Sequence, residues 1–175
     1  DITLRAIKTI WQVPILFCED TREAKKLLSV YKEYRVDGSP ALYTYNDYNR
    51  EARIPLAISA LVEGKDVGLI TDRGTPLVSD PGYRLVSAVL DLAAPGVMVE
   101  AIPGPSAILP ALQLSGLPPD KFVFIGFLPR KKGDLKRILA LLPPFTSVAF
   151  ESPYRITKSL KNLAEYYGGN TPVAI

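Results

Sequence analysis

Histidine is absent from the 175 residues, and cysteine, methionine and tryptophan each occur once. Without histidine the usual zinc constellations cannot be assembled, and a single thiol, Cys18, rules out an intramolecular disulfide framework. Cys18 is expected to be a core residue at a strand end, the alternative being a reactive thiol. No uninterrupted apolar stretch reaches the ~20 residues of a bilayer-spanning helix. The opening "DITLRAIKTIWQ" lacks the basic segment and apolar run of a secretory signal. These absences lead to the expectation of a soluble, cytoplasmic protein with no membrane partner and no metal. Charge of one sign is also scarce: 21 Lys and Arg stand against 18 Asp and Glu, a net +3 that permits a nucleic-acid partner without demanding one.

What is present is an alternation of short apolar runs with longer helical patterns, in a chain whose 47% hydrophobic content can bury a core. "ITLRAIKTIW" puts Ile2, Leu4, Ile7 and Ile10 on one helical face with Asp1 placed to cap it, and "PILFC" follows as a buried run. Further helices are predicted in "TREAKKLLSVYKEY", "REARIPLAISALVEG" (ended by Gly64), "GYRLVSAVLDLA" and "SAILPALQLSG" (ended by Gly116). Strands are predicted in "ALYTY", "DVGLIT" and "VMVEAI". Strands separated by helices imply βαβ units and an α/β fold with a mostly parallel sheet, whose ligands bind beyond the carboxyl ends of the strands.

At "GLPPDK" the texture changes. Beyond it "FVFIGFLP", "KRILALL", "TSVAFE" and "YRITKSLKNLAEYY" alternate again, so residues 1–117 are read as a first α/β lobe and residues 118–175 as a smaller, mixed α/β second lobe. "GGNTPVAI" reads as a turn leading into another strand. Because the chain opens directly at a helix cap and closes at that strand start, a first strand is expected to be missing and the second lobe to be incomplete.

Chemistry is expected at loops that follow strands. "LITDRGTPLVSDPGYRLV", residues 69–86, delivers Asp72, Arg73, Gly74, Thr75, Pro76 and Val78 to the sheet's carboxyl edge. A plain turn is the simpler alternative. "IPGPSA", residues 102–107, combines two stiffening prolines with Gly104, which lets a ligand approach the backbone, and with Ser106, placed to cap the next helix. "FESPYRI", residues 150–156, either starts a helix with Ser152 as cap and Pro153 in its first turn, or turns Glu151 and Ser152 toward the first lobe across a cleft. The segment "PRKKGDLKR" gathers Arg130, Lys131, Lys132, Lys136 and Arg137 with only Asp134 opposing. It is either a solvated helix face or a phosphate-binding patch.

These loops together, with "CEDTR" at residues 18–22 and "DITLRAI" at the start, resemble the ribosomal RNA small subunit methyltransferase I family of the tetrapyrrole-methylase superfamily. The resemblance runs in order along essentially the whole chain. It implies two α/β lobes with S-adenosyl-L-methionine held in the cleft between them, a homodimer, and methylation of a cytidine ribose 2′-hydroxyl in 16S ribosomal RNA. Residue by residue, it places Arg73, Gly74, Thr75, Pro76 and Val78 in the first cofactor loop, Ser106 and Ala107 in the second, and Glu151 with Ser152 in the small-lobe contact. Asp72 belongs to the same matching segment. The chain departs from the family where Arg73 replaces a usual alanine, and where Asn46, Tyr48 and Tyr154 stand at positions in which histidine is common.

Methyl transfer to a ribose hydroxyl is an in-line displacement in which positioning dominates and a group must accept the hydroxyl proton. In a chain without histidine the candidates at strand ends are Asp72, Glu19, Asp20 and Asp80, and the sequence does not choose among them. A noncatalytic RNA- or partner-binding remnant of the same fold is the competing reading. A tetrapyrrole C-methyltransferase is a weaker rival, because the basic segment, "SDPGYR" and "ESPYR" favour the ribosomal branch.

Overall fold

The structure is a computed structural model that describes residues 1–36 and 38–175. Helix α1 (Leu4–Gln12) leads into strand β1 (Ile15–Cys18), followed by α2 (Thr21–Val30), a short 3-10 turn (Lys32–Tyr34) and β2 (Ala41–Thr44). Then come α3 (Arg50–Val62), β3 (Val67–Leu69), α4 (Tyr83–Leu92) and α5 (Ile108–Ser115). The chain continues with β4 (Phe122–Phe127), α6 (Lys132–Leu141), β5 (Thr146–Phe150) and α7 (Ile156–Tyr167). Contacts divide it into two compact units, Asp1–Pro105 and Ser106–Ile175. The sequence reading set its joint at 117/118, within the second of these units.

The first unit is built on a parallel three-stranded sheet in the order β2-β1-β3. Side-chain alternation along β1 sorts its core. Leu16 packs with Ile7, Ile10, Trp11 and Leu28 from α1 and α2. Ile15 and Phe17 point the other way, toward Ala57 of α3 and Leu85 of α4. Gly68 of β3 lies against Leu16, and a Cβ there would stand 2.8 Å from the Leu16 Cδ1. Two buried polar groups are provided for: the Trp11 indole donates to the Tyr31 carbonyl at 2.9 Å, and the Cys18 thiol, fully buried, sits 3.6 Å from the Tyr43 carbonyl. Burial pushes that thiol up to about 11, so it stays protonated near neutrality and the core reading of Cys18 holds.

Several local expectations are corrected. Thr3, not Asp1, caps α1, its hydroxyl accepting the Ala6 amide at 3.2 Å. Residues 97–102 are not a strand: they join no ladder among the described residues, with Met98 88% and Val99 46% exposed. An apolar run becomes a strand only when a neighbour takes up its backbone groups, and in this unit the neighbours of β1 are β2 and β3. Residues 172–175 likewise form no strand, for the same reason. Helix α5 begins after Ala107 with no side-chain cap, and α7 after Arg155, so neither Ser106 nor Ser152 is a helix cap.

The second unit carries α5 and a parallel pair, β4 and β5, whose register is broken by a bulge between Phe124 and Phe127. Its core is Leu128, Leu135 and Leu139, closed by Ile125, Ala149, Leu163 and Tyr166. Helix α6 is the crossover between the two parallel strands.

Candidate functional site

In the first unit, the loops after β1 and β3 leave the same edge of the sheet, because parallel neighbours end together. Four of the sequence candidates are brought together there. Glu19 accepts from the Thr71 hydroxyl at 2.9 Å and from the Asp72 amide at 3.2 Å, while Asp72 accepts from the Asp20 amide at 3.4 Å. Asp80 returns to the cluster beside Thr71.

Their electrostatics differ. Asp20 caps α2 and is gripped by the Arg22 guanidinium through Nε and Nη2, which holds its carboxyl down to about 2. Asp72 is pushed up, first by burial and then by the neighbouring Glu19, Asp20 and Glu23 charges. Asp80 is raised for the same two reasons, burial first and then Glu19 and Asp72, with the Thr71 hydroxyl opposing. A groove of about 230 Å³ adjoins the cluster, running from Leu27 and Val30 of α2 to Ile70, Thr71 and Asp72. Among the described residues no group of three or more His, Cys, Asp or Glu is arranged to hold a metal ion.

The loop between β3 and α4 takes an unusual path. Gly74, Leu77, Ser79 and Gly82 all have positive φ, at 77°, 71°, 64° and 139°. For Leu77 and Ser79 this is a strained conformation, which persists only where neighbours enforce it. Leu77 is held against Gly82, where an added Cβ would come within 2.9 Å of the Leu77 Cδ1. Arg73, Thr75 and Val78 are exposed, Pro76 is half-buried, and Arg73 forms no ion pair among the described residues.

The loop at 102–107 meets this one. The Thr75 hydroxyl donates to the Pro105 carbonyl at 2.9 Å, and the Thr3 hydroxyl donates to the Pro103 carbonyl at 3.1 Å. An ideal Cβ at Gly74 or Gly104 meets nothing within 4 Å, so both loops leave open space against their backbone. Thr3 was missed in the sequence. Its hydroxyl at a helix start was a visible sign of a cap, but its partner lies 100 residues away.

In the second unit, Glu151 is 5% exposed and its carboxylate is fully engaged. It accepts from the Ser152 amide at 2.7 Å, from Arg155 at 2.9 Å and from the Ser159 hydroxyl. Arg155 also donates to the Leu128 carbonyl at 2.8 Å, tying the end of β5 to the chain entering the basic segment. Ser152 is half-buried, its hydroxyl accepting the Tyr154 amide at 3.3 Å. In the basic segment, Arg130, Lys131, Lys132, Lys136 and Arg137 are all exposed. Lys132 pairs with Glu165 of α7 and Arg137 faces Asp134 at 3.5 Å. Asp134 is the only opposing charge within the segment, and α7, packed beside α6, brings a second carboxylate, Glu165, from outside it.

A model of the tetrapyrrole (corrin/porphyrin) methylases matches residues 1–175. The chain belongs to that family. Among its relatives, a ribosomal RNA small subunit methyltransferase I of Mesorhizobium japonicum is 48% identical over 177 residues, covering 100% of this chain and 58% of the relative. One of Thermotoga maritima is 39% identical, covering 96% of this chain and 72% of the relative. One of Vibrio cholerae is 37% identical, covering 100% and 59%. The chain therefore spans little more than half the length of most of these relatives. For a tetrapyrrole methylase, the Arg73 loop and the 102–107 loop are the two segments that the sequence resemblance assigned to the cofactor.

Proposed function

We propose that the chain is the core of an S-adenosyl-L-methionine-dependent methyltransferase acting on the 2′-hydroxyl of a cytidine ribose in 16S ribosomal RNA. The observation that carries this reading is the junction of loops 72–80 and 102–107 through Thr75 and Pro105. The names of the relatives support ribosomal RNA of the small subunit as the substrate, and the cytidine 2′-hydroxyl is what the sequence resemblance implies.

The residues present suit the methyl donor. Its sulfonium and amino groups are cationic and suit the carboxylate-rich sheet edge after β1 and β3, while its carboxylate matches the exposed Arg73 guanidinium. The open backbone at Gly74 and Gly104 leaves room for it to lie against both loops. The sequence resemblance further assigns Thr75, Pro76, Val78, Ser106, Ala107 and Ser152 to the donor, whereas the Glu151 carboxylate it also assigns is buried and already engaged by Arg155 and Ser159 within its own unit. When bound, the donor supplies a methyl carbon activated by positive sulfur, so the protein's task is alignment and removal of the hydroxyl proton.

For that proton, Asp72 and Asp80 are the better acceptors. Asp20 is committed to Arg22 and is too weakly basic, and Glu19 is committed to Thr71 and the Asp72 amide. Burial raises the basicity of both remaining carboxylates. Arg130, Lys131 and Lys136 are the cations placed to meet RNA phosphates, with Lys132 and Arg137 already partnered. Homodimerisation and a cytoplasmic location belong to the same proposal. Among the described residues no helix is long and apolar enough to cross a membrane.

Calorimetric titration with S-adenosylmethionine tests the reading. Saturable binding to this chain, or to one extended at both ends to the length of its relatives, is expected. Absence of heat in both would overturn it.

A further inference from the structure

The segment Pro103, Gly104, Pro105 is poor in donors, since neither proline carries an amide hydrogen. Among the described residues it also makes no backbone–backbone hydrogen bond. The prolines stiffen its shape, but with no backbone bond of its own the segment relies for hydrogen-bonded anchoring on whatever holds its carbonyls. Two threonine hydroxyls do so, from different parts of the first unit. Thr3 donates to the Pro103 carbonyl at 3.1 Å while accepting the Ala6 amide, so one hydroxyl both caps α1 and holds the loop. Thr75, at the tip of the loop after β3, donates to the Pro105 carbonyl at 2.9 Å. Gly104, between the two held carbonyls, faces open space.

We propose that Thr3 and Thr75 are positioning residues that clamp the 103–105 segment from both sides and set its spacing from the loop carrying Arg73 and Gly74. This rests on the cofactor reading above and deepens it. The Thr75 hydroxyl has one proton, and spending it on Pro105 makes the residue a tie between the two loops rather than a donor to a ligand. The clamp also links ligand binding to α1, whose first turn rests on the same Thr3 hydroxyl.

Three variants separate this role from capping and from direct ligand contact. Thr75→Val keeps the shape and loses the donor, Thr75→Ser keeps the donor, and Thr3→Asp keeps a capping acceptor for Ala6 but cannot donate to Pro103. In the ligand-free protein, the Gly104 amide order parameter from ¹⁵N relaxation is expected near 0.85 for the unaltered chain and for Thr75→Ser. It is expected below about 0.6 in Thr75→Val and Thr3→Asp. Affinity for S-adenosylhomocysteine by calorimetry should fall roughly fivefold to tenfold in the latter two, with Thr75→Ser restoring it. Unchanged Gly104 order in both overturns the clamp, as does unchanged affinity in a chain that binds. If the unaltered chain binds no S-adenosylhomocysteine, the cofactor reading falls instead, and the Gly104 order parameter still decides the clamp.

Discussion

At the scale of single residues, the carboxylates at the sheet edge are not equivalent despite their proximity. Asp80 sits half-buried among Glu19 and Asp72, and both burial and those charges raise its pKa above the ordinary 3.8. A carboxyl whose folded pKa is raised costs stability above that pKa, where it is charged, and costs nothing below its unfolded value. Asp80→Asn, which keeps the side chain's shape and places a neutral amide beside Thr71, should therefore raise the melting temperature at pH 7 by on the order of 2 °C. The gain should vanish as the pH falls through the raised folded value toward 3.8. Thermal scans of both proteins between neutral and acid pH test this, and a variant less stable at pH 7 would contradict it. Asp20 sits in the opposite situation, its negative charge favoured by Arg22.

At the scale of elements, the turn from β3 into α4 depends on Gly82 more than on any side chain. Its φ of 139° is one that L-residues rarely adopt, and a Cβ there would come within 2.7 Å of Leu69 and 2.9 Å of Leu77. Both objections apply to alanine at once, and the displaced Leu77 is itself in a strained conformation. Gly82→Ala is expected to destabilise the fold by about 1–3 kcal/mol, chiefly from backbone strain, since the leucine δ-methyls can shift aside. Chemical denaturation measures this directly. A loss under about 0.5 kcal/mol would mean that the loop relaxes without cost.

At the scale of the whole molecule, a net charge of +3 says little, and its distribution says more. Arg130, Lys131 and Lys136 make no ion pair among the described residues, whereas Lys132 is already occupied by Glu165. Replacing Lys131 with alanine should flatten the dependence of RNA affinity on salt by close to one phosphate contact, a slope change of about 0.7–0.9. Lys132→Ala should change the slope less, because its charge is partly neutralised before RNA arrives. Filter binding across a salt series distinguishes the two, and an unchanged slope for Lys131→Ala would return the segment to a solvated helix face.

Local pattern alone was enough to place β1, β2, β3, β4 and β5 between helices, to put Cys18 in the core and to mark the loops at 69–86 and 102–107. Periodicity and turn chemistry belong to short stretches of chain, and β1 carries both of its buried faces within four residues. The partner of each polar group was not legible in this way. Thr3 rather than Asp1 caps α1, Glu151 turns into its own unit toward Arg155 and Ser159, and Lys132 is met by a glutamate 33 residues on. The apolar run at 97–102 has strand composition but lacks the ladder that would make it one. Burying apolar faces selects the elements from local composition. Hydrogen bonds and ion pairs between distant segments exist only after packing has brought those segments together, so only the folded chain could join Thr75 to Pro105.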